Sequence, residues 1–300
     1  MTAERPSPQP IFLAAVMLLL PQIGTLAQTT APMLRLSGIV HLSDAKIAVL
    51  EAPPVGSQSR GDSFVLSERQ REGLLEVLEI QPKTRTVRVK LFSDGGSSVL
   101  TLTNNASHAA ANVSGIVFEN ASLEPVLRLH SGFSQRTLLR SPSLPRLSFS
   151  LVAGAENRAA AALAIQRALN EKGVATIPDG EKFMMIVPRE QAASVKPRAS
   201  EIKPSGAVES EILPPGVIDF RDTGIPQVLQ IYAELCQRKC DYSAPMPPTV
   251  VGSIQFHNQT SLNRAEVVYA LDTLLGWAGL KMIASGENQM KPVPIQGAHH

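Results

Sequence analysis

The sequence predicts an α+β protein, with a small all-β domain followed by two β-α-β-β-α-β-β modules that each place two helices on a small sheet. Three observations predict it. Short strand-like segments with turn residues between them fill residues 34–103, residues 115–188 repeat as residues 216–294, and each copy shows helical periodicity twice. A chain of 300 residues is long enough for several such units.

The N-terminal segment is typical of a secretory signal peptide. Arg5 precedes an apolar run from Ile11 to Leu20, and small residues then lead to Ala27. We predict a signal peptide over residues 1–27 with cleavage near Ala27, and a periplasmic chain. An uncleaved anchor is the alternative, although the apolar run is about half of the ~20 residues that span a bilayer.

Composition and motifs favour a non-enzymatic protein. Charged residues make up 18% of the chain, apolar residues 44%, and the net charge is +2. The sequence has no basic stripe interleaved with aromatics, so we expect no nucleic-acid binding, and membrane association only through partners. It also has no phosphate loop, nucleophile motif or cluster at metal-ligand spacing, so we predict no catalytic residue, no cofactor and no metal.

Residues 34–103 consist of strand-like pieces such as LRLSGIVHL, KIAVLEA and TVRVKLF, separated by turns such as PKTR and DGGS. Strands at this close spacing predict a small sandwich or barrel.

The internal repeat is the strongest signal in the sequence. Residues 157–188 align without a gap on residues 263–294, and twelve of the 32 positions are identical. Upstream, IVFENASLEPVLRLHSGFSQR from Ile116 aligns without a gap on IDFRDTGIPQVLQIYAELCQR from Ile218. Duplication of a unit too small for a deep cleft indicates a binding surface that is used twice.

Each copy has the same predicted elements. An opening Ile-x-Phe strand is followed by an Asn or Asp turn and an amphipathic helix, and then by two short strands. Asn263 with Glu266 forms a capping box that begins the second helix, and Gly279, like Gly173 in the first copy, is placed to end it. A hairpin with PDGE or ASGE at its turn closes each copy. Residues 189–215, rich in Pro, Ser and Ala, predict a flexible linker between the copies.

The second copy resembles the secretin N-terminal domain, a periplasmic module of type II secretion and type IV pilus secretins. VIDFRDTGIPQVLQIYAEL and SIQFHNQTSLNRAEVVYALDTLLGWAGLKMIASGENQMKPVP carry the resemblance, and the first copy is similar to a more divergent module. Residues 34–103, with LSGIVHLSDAKIAVLEAP, resemble the periplasmic domain of the type II secretion clamp protein. Little chain follows Pro294, so we expect no pore-forming domain.

The resemblance implies a component of a secretin-based envelope machine, either type II secretion or a type IV pilus, that acts in docking and assembly. Its partners would be a secretin, another secretion or pilus component, or a second copy by self-association. We expect docking through exposed strand edges of the second module. The candidate docking residues are Phe220, Asp222, Ile225, Ser253, Gln255 and His257.

Two other classes of function stay open. One is an envelope protein that binds peptidoglycan or another polymer through its duplicated modules. The other is a signalling module like those at the N-terminus of certain outer-membrane receptors.

The two cysteines have two alternative states. Cys236 and Cys240 are four apart, which is unlike the redox motif, so they form either a structural disulfide or two free, partly buried thiols. They align with Ser134 and Leu138, so the fold does not require a bridge. His130 lies on an apolar helix face, which favours a core histidine over a metal ligand.

Overall fold

The chain is a mixed α+β protein. The computed structural model describes residues 34–54, 61–92, 96–102, 114–202, 212–241 and 253–295. The predicted signal peptide, residues 1–27, lies outside the described residues. Within them, no helix is long and apolar enough to cross a membrane.

The described residues between 34 and 102 form strands, as their alternating pattern predicts. Two layers pack face to face, and side chains such as Leu50, Leu66, Val77 and Val87 lie buried between them. The strands are β1 (Arg35–His41), β2 (Lys46–Glu51), β3 (Ser63–Ser67), β4 (Arg71–Glu72), β5 (Leu75–Gln81), β6 (Thr86–Leu91) and β7 (Ser97–Thr101). β1, β2 and β3 lie in one layer, and β4, β5, β6 and β7 form the other sheet, in that order.

The first repeat copy contains seven elements in the predicted order. They are β8 (Gly115–Ser122), α1 (Leu123–Ser134), β9 (Thr137–Arg140), β10 (Ser148–Gly154), α2 (Arg158–Glu171), β11 (Val174–Asp179) and β12 (Phe183–Pro188).

The second copy repeats this order with one short additional strand, and another short strand, β13 (Ile212–Leu213), precedes it. Its elements are β14 (Asp219–Gly224), α3 (Ile225–Leu235), β15 (Lys239–Cys240), β16 (Ser253–His257), β17 (Leu262–Asn263), α4 (Arg264–Trp277), β18 (Leu280–Gly286) and β19 (Gln289–Pro294).

The single small sheet that we predict for each module is wrong. In the first copy β8 pairs with β10, whereas β9, β12 and β11 form a separate three-stranded sheet. The second copy divides in the same way, into a β14–β16 ladder and a β15–β19–β18 sheet. In each copy the first helix contacts strands of both sheets, since α1 contacts β8, β10 and β9, and α3 contacts β14, β16, β15 and β19. Packing against a shared helix holds the two sheets together without a continuous ladder between them.

The first module also shares a sheet with the preceding region. β1 pairs with β8 in antiparallel register, with Ile39 opposite Val117 and Val40 opposite Ile116. The result is one five-stranded sheet in the order β10-β8-β1-β2-β3. Hydrogen bonds between β1 and β8 therefore join the N-terminal β region to the first module in one sheet. The sequence predicts these two regions as separate domains and does not predict this shared sheet.

The helix ends follow the sequence signals. Asn263 accepts from the Glu266 amide at 2.9 Å, and Glu266 accepts from the Asn263 amide at 2.8 Å, so the predicted capping box is present. Gly173 and Gly279 have φ of 79° and 82°, the left-handed conformation in which glycine carries no steric penalty.

The predicted Asn or Asp turn differs in the structure. Asn120 and Asp222 have φ of 50° and 62°, and each lies in a bulge inside its strand, shortly before the helix. The N-cap residues are instead Ser122 and Gly224, neither of which makes a side-chain cap hydrogen bond. Short polar residues tolerate positive φ, which explains their position in the bulge.

Residues 189–202 do not have the character of the flexible linker that the composition predicts. They contain two short 3₁₀ helices, Arg189–Gln191 and Ala199–Glu201. Val195, Ala199 and Ile202 pack against the core of the second module. β13 then pairs with β17. Residues 203–211 lie outside the described part of the chain.

Candidate docking site on the second module

The candidate site lies on the two-stranded ladder formed by β14 and β16. Asp219 is opposite His257, Phe220 opposite Phe256, and Gly224 opposite Ser253. The register shifts between Phe220 and Thr223, where the bulge lies. β16 is the only strand that pairs with β14 among the described residues, so the backbone groups on the other edge of β14 have no strand partner there.

Five of the six predicted docking residues share this ladder, and the sixth does not belong to a surface. Phe220, Asp222, Ser253, Gln255 and His257 all lie in β14 or β16. Ile225 begins α3 and is 3% exposed in the core, so the prediction that it contacts a partner is wrong. Its place in an i, i+3, i+4 apolar pattern is the signal that indicates a core position.

Phe220 is half-buried against Phe256, with ring centroids 6.3 Å apart and planes tilted by 50°. An aromatic ring that is fixed on one side and accessible on the other provides apolar contact area with little loss of side-chain freedom. Phe220 can therefore contribute to a partner interface without leaving its own core.

Asp222 and Ser253 are coupled across the ladder, because the Ser253 hydroxyl donates to the Asp222 carboxylate. The left-handed backbone of Asp222 turns its exposed side chain toward β16 at this point. This pair fixes the bulge and places a carboxylate at the end of the ladder nearest to α3.

Gln255 and His257 differ in how accessible their polar groups are. The Gln255 Oε1 atom is buried and has no hydrogen-bond partner within the described residues, which is an unfavourable state for an amide oxygen. The His257 side chain is exposed, with its Nδ1 atom 3.4 Å from Asp219 Oδ1. The buried Gln255 oxygen is out of reach of a partner, whereas an acidic or hydrogen-bonding group can meet the exposed His257 side chain.

The ladder borders a large open cleft of about 1600 Å³. Phe220, Asp222, Gln255 and His257 line one side of it. The N-terminal turns of α1 and the strand β9 line a second side, and β3, β4 and the end of β7 line a third. All three regions of the chain therefore meet at one concave surface, which is where binding sites commonly occur.

A small charge network joins the three regions at the cleft. Glu72 of β4 lies 3.9 Å from Arg128 Nη1 of α1 and 3.4 Å from Arg221 Nη2 of β14. Arg221 Nε also donates to Asp219 at 2.7 Å, and this hydrogen bond raises the pKa of the guanidinium. Sequence reasoning missed Glu72, Arg128 and Arg221, because their proximity depends on how three distant regions pack.

The two modules are held together by hydrogen bonds and an ion pair. Asp179, which is fully buried, accepts hydrogen bonds from the Ala199 amide at 2.7 Å and from the Tyr269 hydroxyl. Lys182 pairs with Glu266 at 2.8 Å. The Asp179 hydrogen bonds and this ion pair link the hairpin of the first module to α4 of the second.

Both thiols are free. Cys236 follows the last residue of α3, and Cys240 lies in β15. Burial raises the pKa of Cys236, so its thiol is less reactive than an ordinary one. This is the state of two free, partly buried thiols and not the bridged alternative.

Other titratable groups serve packing. His130 is buried in the first-module core with Nδ1 unpartnered, and burial lowers its pKa to about 4. At the aligned position Tyr232 donates to Asp272 Oδ1 at 2.8 Å, and burial raises the pKa of both groups. Within the described ranges, no group of three or more His, Cys, Asp or Glu side chains is arranged to hold a metal ion.

No family model, no curated protein and no solved structure matches this chain.

Proposed function

We propose that the protein is a non-enzymatic periplasmic component of a secretin-based envelope machine, of the type II secretion or type IV pilus class, and that it acts in docking and assembly. The observation that carries the proposal is the β14–β16 ladder, whose β14 edge has no partner among the described strands and which borders the cleft where all three regions meet. The resemblance of both modules to secretin N-terminal domains supports the choice of machine.

Recognition by strand addition fits the geometry. The outer edge of β14 offers backbone donors and acceptors that have no strand partner within the described residues. Strand addition uses these groups for affinity and alternate side chains for specificity. Phe220 supplies an apolar contact, and Arg221 and His257 supply polar contacts on either side of it.

The charged side chains of the ladder favour a partner that carries carboxylates next to its polar and apolar groups. Arg221 is 64% exposed and is shared between Asp219 and Glu72, so a partner carboxylate can exchange with either one. Such exposed pairs contribute little to stability, typically about 0–1 kcal/mol, so their exchange costs little. They then contribute mainly to selection between partners.

The experiment is co-purification of the tagged chain from detergent-solubilised envelopes, with identification of the captured proteins. We expect a secretin or pilus component to be recovered with the wild type and to be depleted with Arg221→Glu. Arg88→Glu is the matched control, because Arg88 is a similarly exposed arginine paired with Glu79 and lies outside the cleft.

Failure to recover any secretin or pilus component with the wild type contradicts the proposal. Retention of the chain on purified cell wall, lost in Arg221→Glu, would instead assign the same surface to the polymer-binding alternative.

A further inference from the structure

We propose that β10 is a self-pairing edge, through which two copies of this chain join their five-stranded sheets across a two-fold axis. The proposal goes beyond docking to a secretion machine and does not depend on it. It concerns the end of the sheet that β10 forms, and not the ladder of the second module.

The first observation is that β10, an edge among the described strands, has neither a charge nor a proline. β10 is the terminal strand of its sheet, and its sequence SFSLVAG contains no charged residue and no proline in seven positions. Natural edge strands commonly carry charges, prolines or bulges that prevent pairing with another chain. Some other edges in the described residues carry such residues, with Pro178 and Asp179 in β11 and Lys281 in β18, whereas the edge strands β3 and β7 are uncharged like β10 but shorter, with five residues each.

The second observation is the direction of the free backbone groups. The Ala155 amide donates to the Ser114 carbonyl, so the residues in phase with Ala155, including Ala153 and Leu151, point their backbone groups toward β8. The backbone groups of the alternate residues therefore face outward. These residues are Ser148, Ser150, Val152 and Gly154.

These four residues form a self-complementary set. With a two-fold axis at Leu151, Ser150 lies opposite Val152 of the second copy, and Ser148 opposite Gly154, so every outward backbone group in β10 finds a partner. On the helix-covered face the bulky Phe149 then lies opposite the small Ala153. A residue near a two-fold axis faces its own copy, so an uncharged strand avoids like-charge repulsion at this position.

The third observation is an apolar groove beside the edge. Val152 is 44% exposed and lines a groove of about 180 Å³ together with Ile39, Ile116 and Val117, and His41 and Arg85 also border this groove. That volume is comparable to the ~150 Å³ cavity that admits a benzene-sized apolar ligand. In the paired arrangement the two Val152 side chains are diagonal neighbours on this face, within reach of each other. Pairing therefore covers the exposed valine.

β7 provides the matched control. It is also an uncharged edge strand, and Val99 in it is 65% exposed, but β7 has five residues and lines no part of this groove. Val152→Lys and Val99→Lys introduce the same charge at exposed valines in edge strands. Only the first places it at the proposed axis.

The test is the mass of the purified full-length chain by light scattering over a dilution series, with circular dichroism to confirm that each variant folds. We expect a dimer for the wild type and for Val99→Lys. Val152→Lys should raise the dimer dissociation constant at least tenfold. Ser150→Glu combined with Val152→Lys should recover the dimer, because each introduced lysine then faces the introduced glutamate of the second copy.

A monomeric wild type at every concentration overturns the proposal, and so does a dimer that is lost in Val99→Lys but kept in Val152→Lys. Failure of the double variant to recover the dimer, with its fold intact, overturns the register. Each of these results is independent of whether a secretin is captured.

Discussion

The two modules share an order of elements but differ in what surrounds their opening strands. In the first module β8 pairs on both sides, with β1 and with β10, whereas in the second β14 pairs with β16 alone among the described strands. The shared Ile-x-Phe signal shows the consequence. Ile116 and Phe118 are fully buried, but their counterparts Ile218 and Phe220 are only partly buried. The same sequence signal therefore builds a core in one copy and leaves an accessible ring in the other.

The opening strands of the duplicated modules therefore differ in accessibility. In the first copy the preceding strands pair with β8 and bury it. The second copy keeps an open ladder beside the cleft. Substitutions at aligned or matched positions of the two modules should have unequal effects for this reason.

The largest effect is expected from truncating the two aligned phenylalanines. Phe118→Ala should lower the free energy of unfolding by about 3–5 kcal/mol, because it leaves a cavity in a closed core. Phe220→Ala should cost about 1 kcal/mol, since the ring is partly solvated. Urea denaturation of both variants measures the difference. Equal losses in the free energy of unfolding would show that Phe118 and Phe220 are equally buried, which would contradict the difference between the two modules.

Acid should affect the first module more than the second. The pKa of His130 is about 4 in the folded state against 6.5 for the free side chain, because burial disfavours the imidazolium. The unfolded chain thus binds a proton that the folded chain does not, and stability falls as pH drops from about 6.5 to about 4, by about 3 kcal/mol. Amide hydrogen exchange across this range should show α1 opening before α3.

The control for this acid effect is His130→Leu, which removes the titrating group and should flatten the pH dependence of α1 exchange. At the aligned position Tyr232 stays neutral throughout this range, since burial raises its pKa. Exchange in α3 that accelerates as much as in α1 would contradict the assignment to His130.

Asp179→Ala tests the connection between the modules. It leaves the Ala199 amide and the Tyr269 hydroxyl without their acceptor, and such a loss typically costs about 1–3 kcal/mol. Limited proteolysis should then cleave near residues 189–202 faster than in the wild type. Asp44→Ala, which removes an exposed partner of Arg158, is the control and should change little. Unchanged proteolysis in Asp179→Ala would show that the segment is held by other contacts.

The smallest effect is expected at the cleft network. Glu72→Gln should change the free energy of unfolding by less than about 1 kcal/mol, because its two arginine partners are solvent-accessible. Its ion pairs weaken further with salt, so thermal melts of wild type and variant should converge at high ionic strength. A loss that persists at high salt would mean that Glu72 has a structural role beyond these pairs.

Local signals in the sequence predict the positions of the helices and strands, but they do not predict which distant strands pair. The capping box at Asn263 and the left-handed glycines at positions 173 and 279 are where their local chemistry places them. The pairing of β1 with β8 depends on packing between distant segments, so no local pattern indicates it. Ile225 could have been predicted correctly from the sequence. Its helical spacing indicates a core position, where the structure places it, although it was predicted as a docking residue.

The two modules share positive φ angles at aligned positions. This similarity supports the repeat but was not predicted from the sequence. Asn120 and Asp222 both occupy bulges, and Gln135 and Gln237 both follow their first helices in the left-handed conformation. Glutamine is not a residue that signals this conformation, so its geometry could not be predicted from residue type alone.

The open ladder of the second module, and not its closed counterpart in the first, is the surface that we expect to contact the partner. Site-specific photo-crosslinking in intact envelopes tests this, with the crosslinker placed at His257 on the ladder or at Leu163, an exposed residue of α2 in the first module. We predict a crosslinked adduct containing a secretin or pilus component from position 257 and none from position 163. Adducts from position 163 alone would contradict this assignment of the surface.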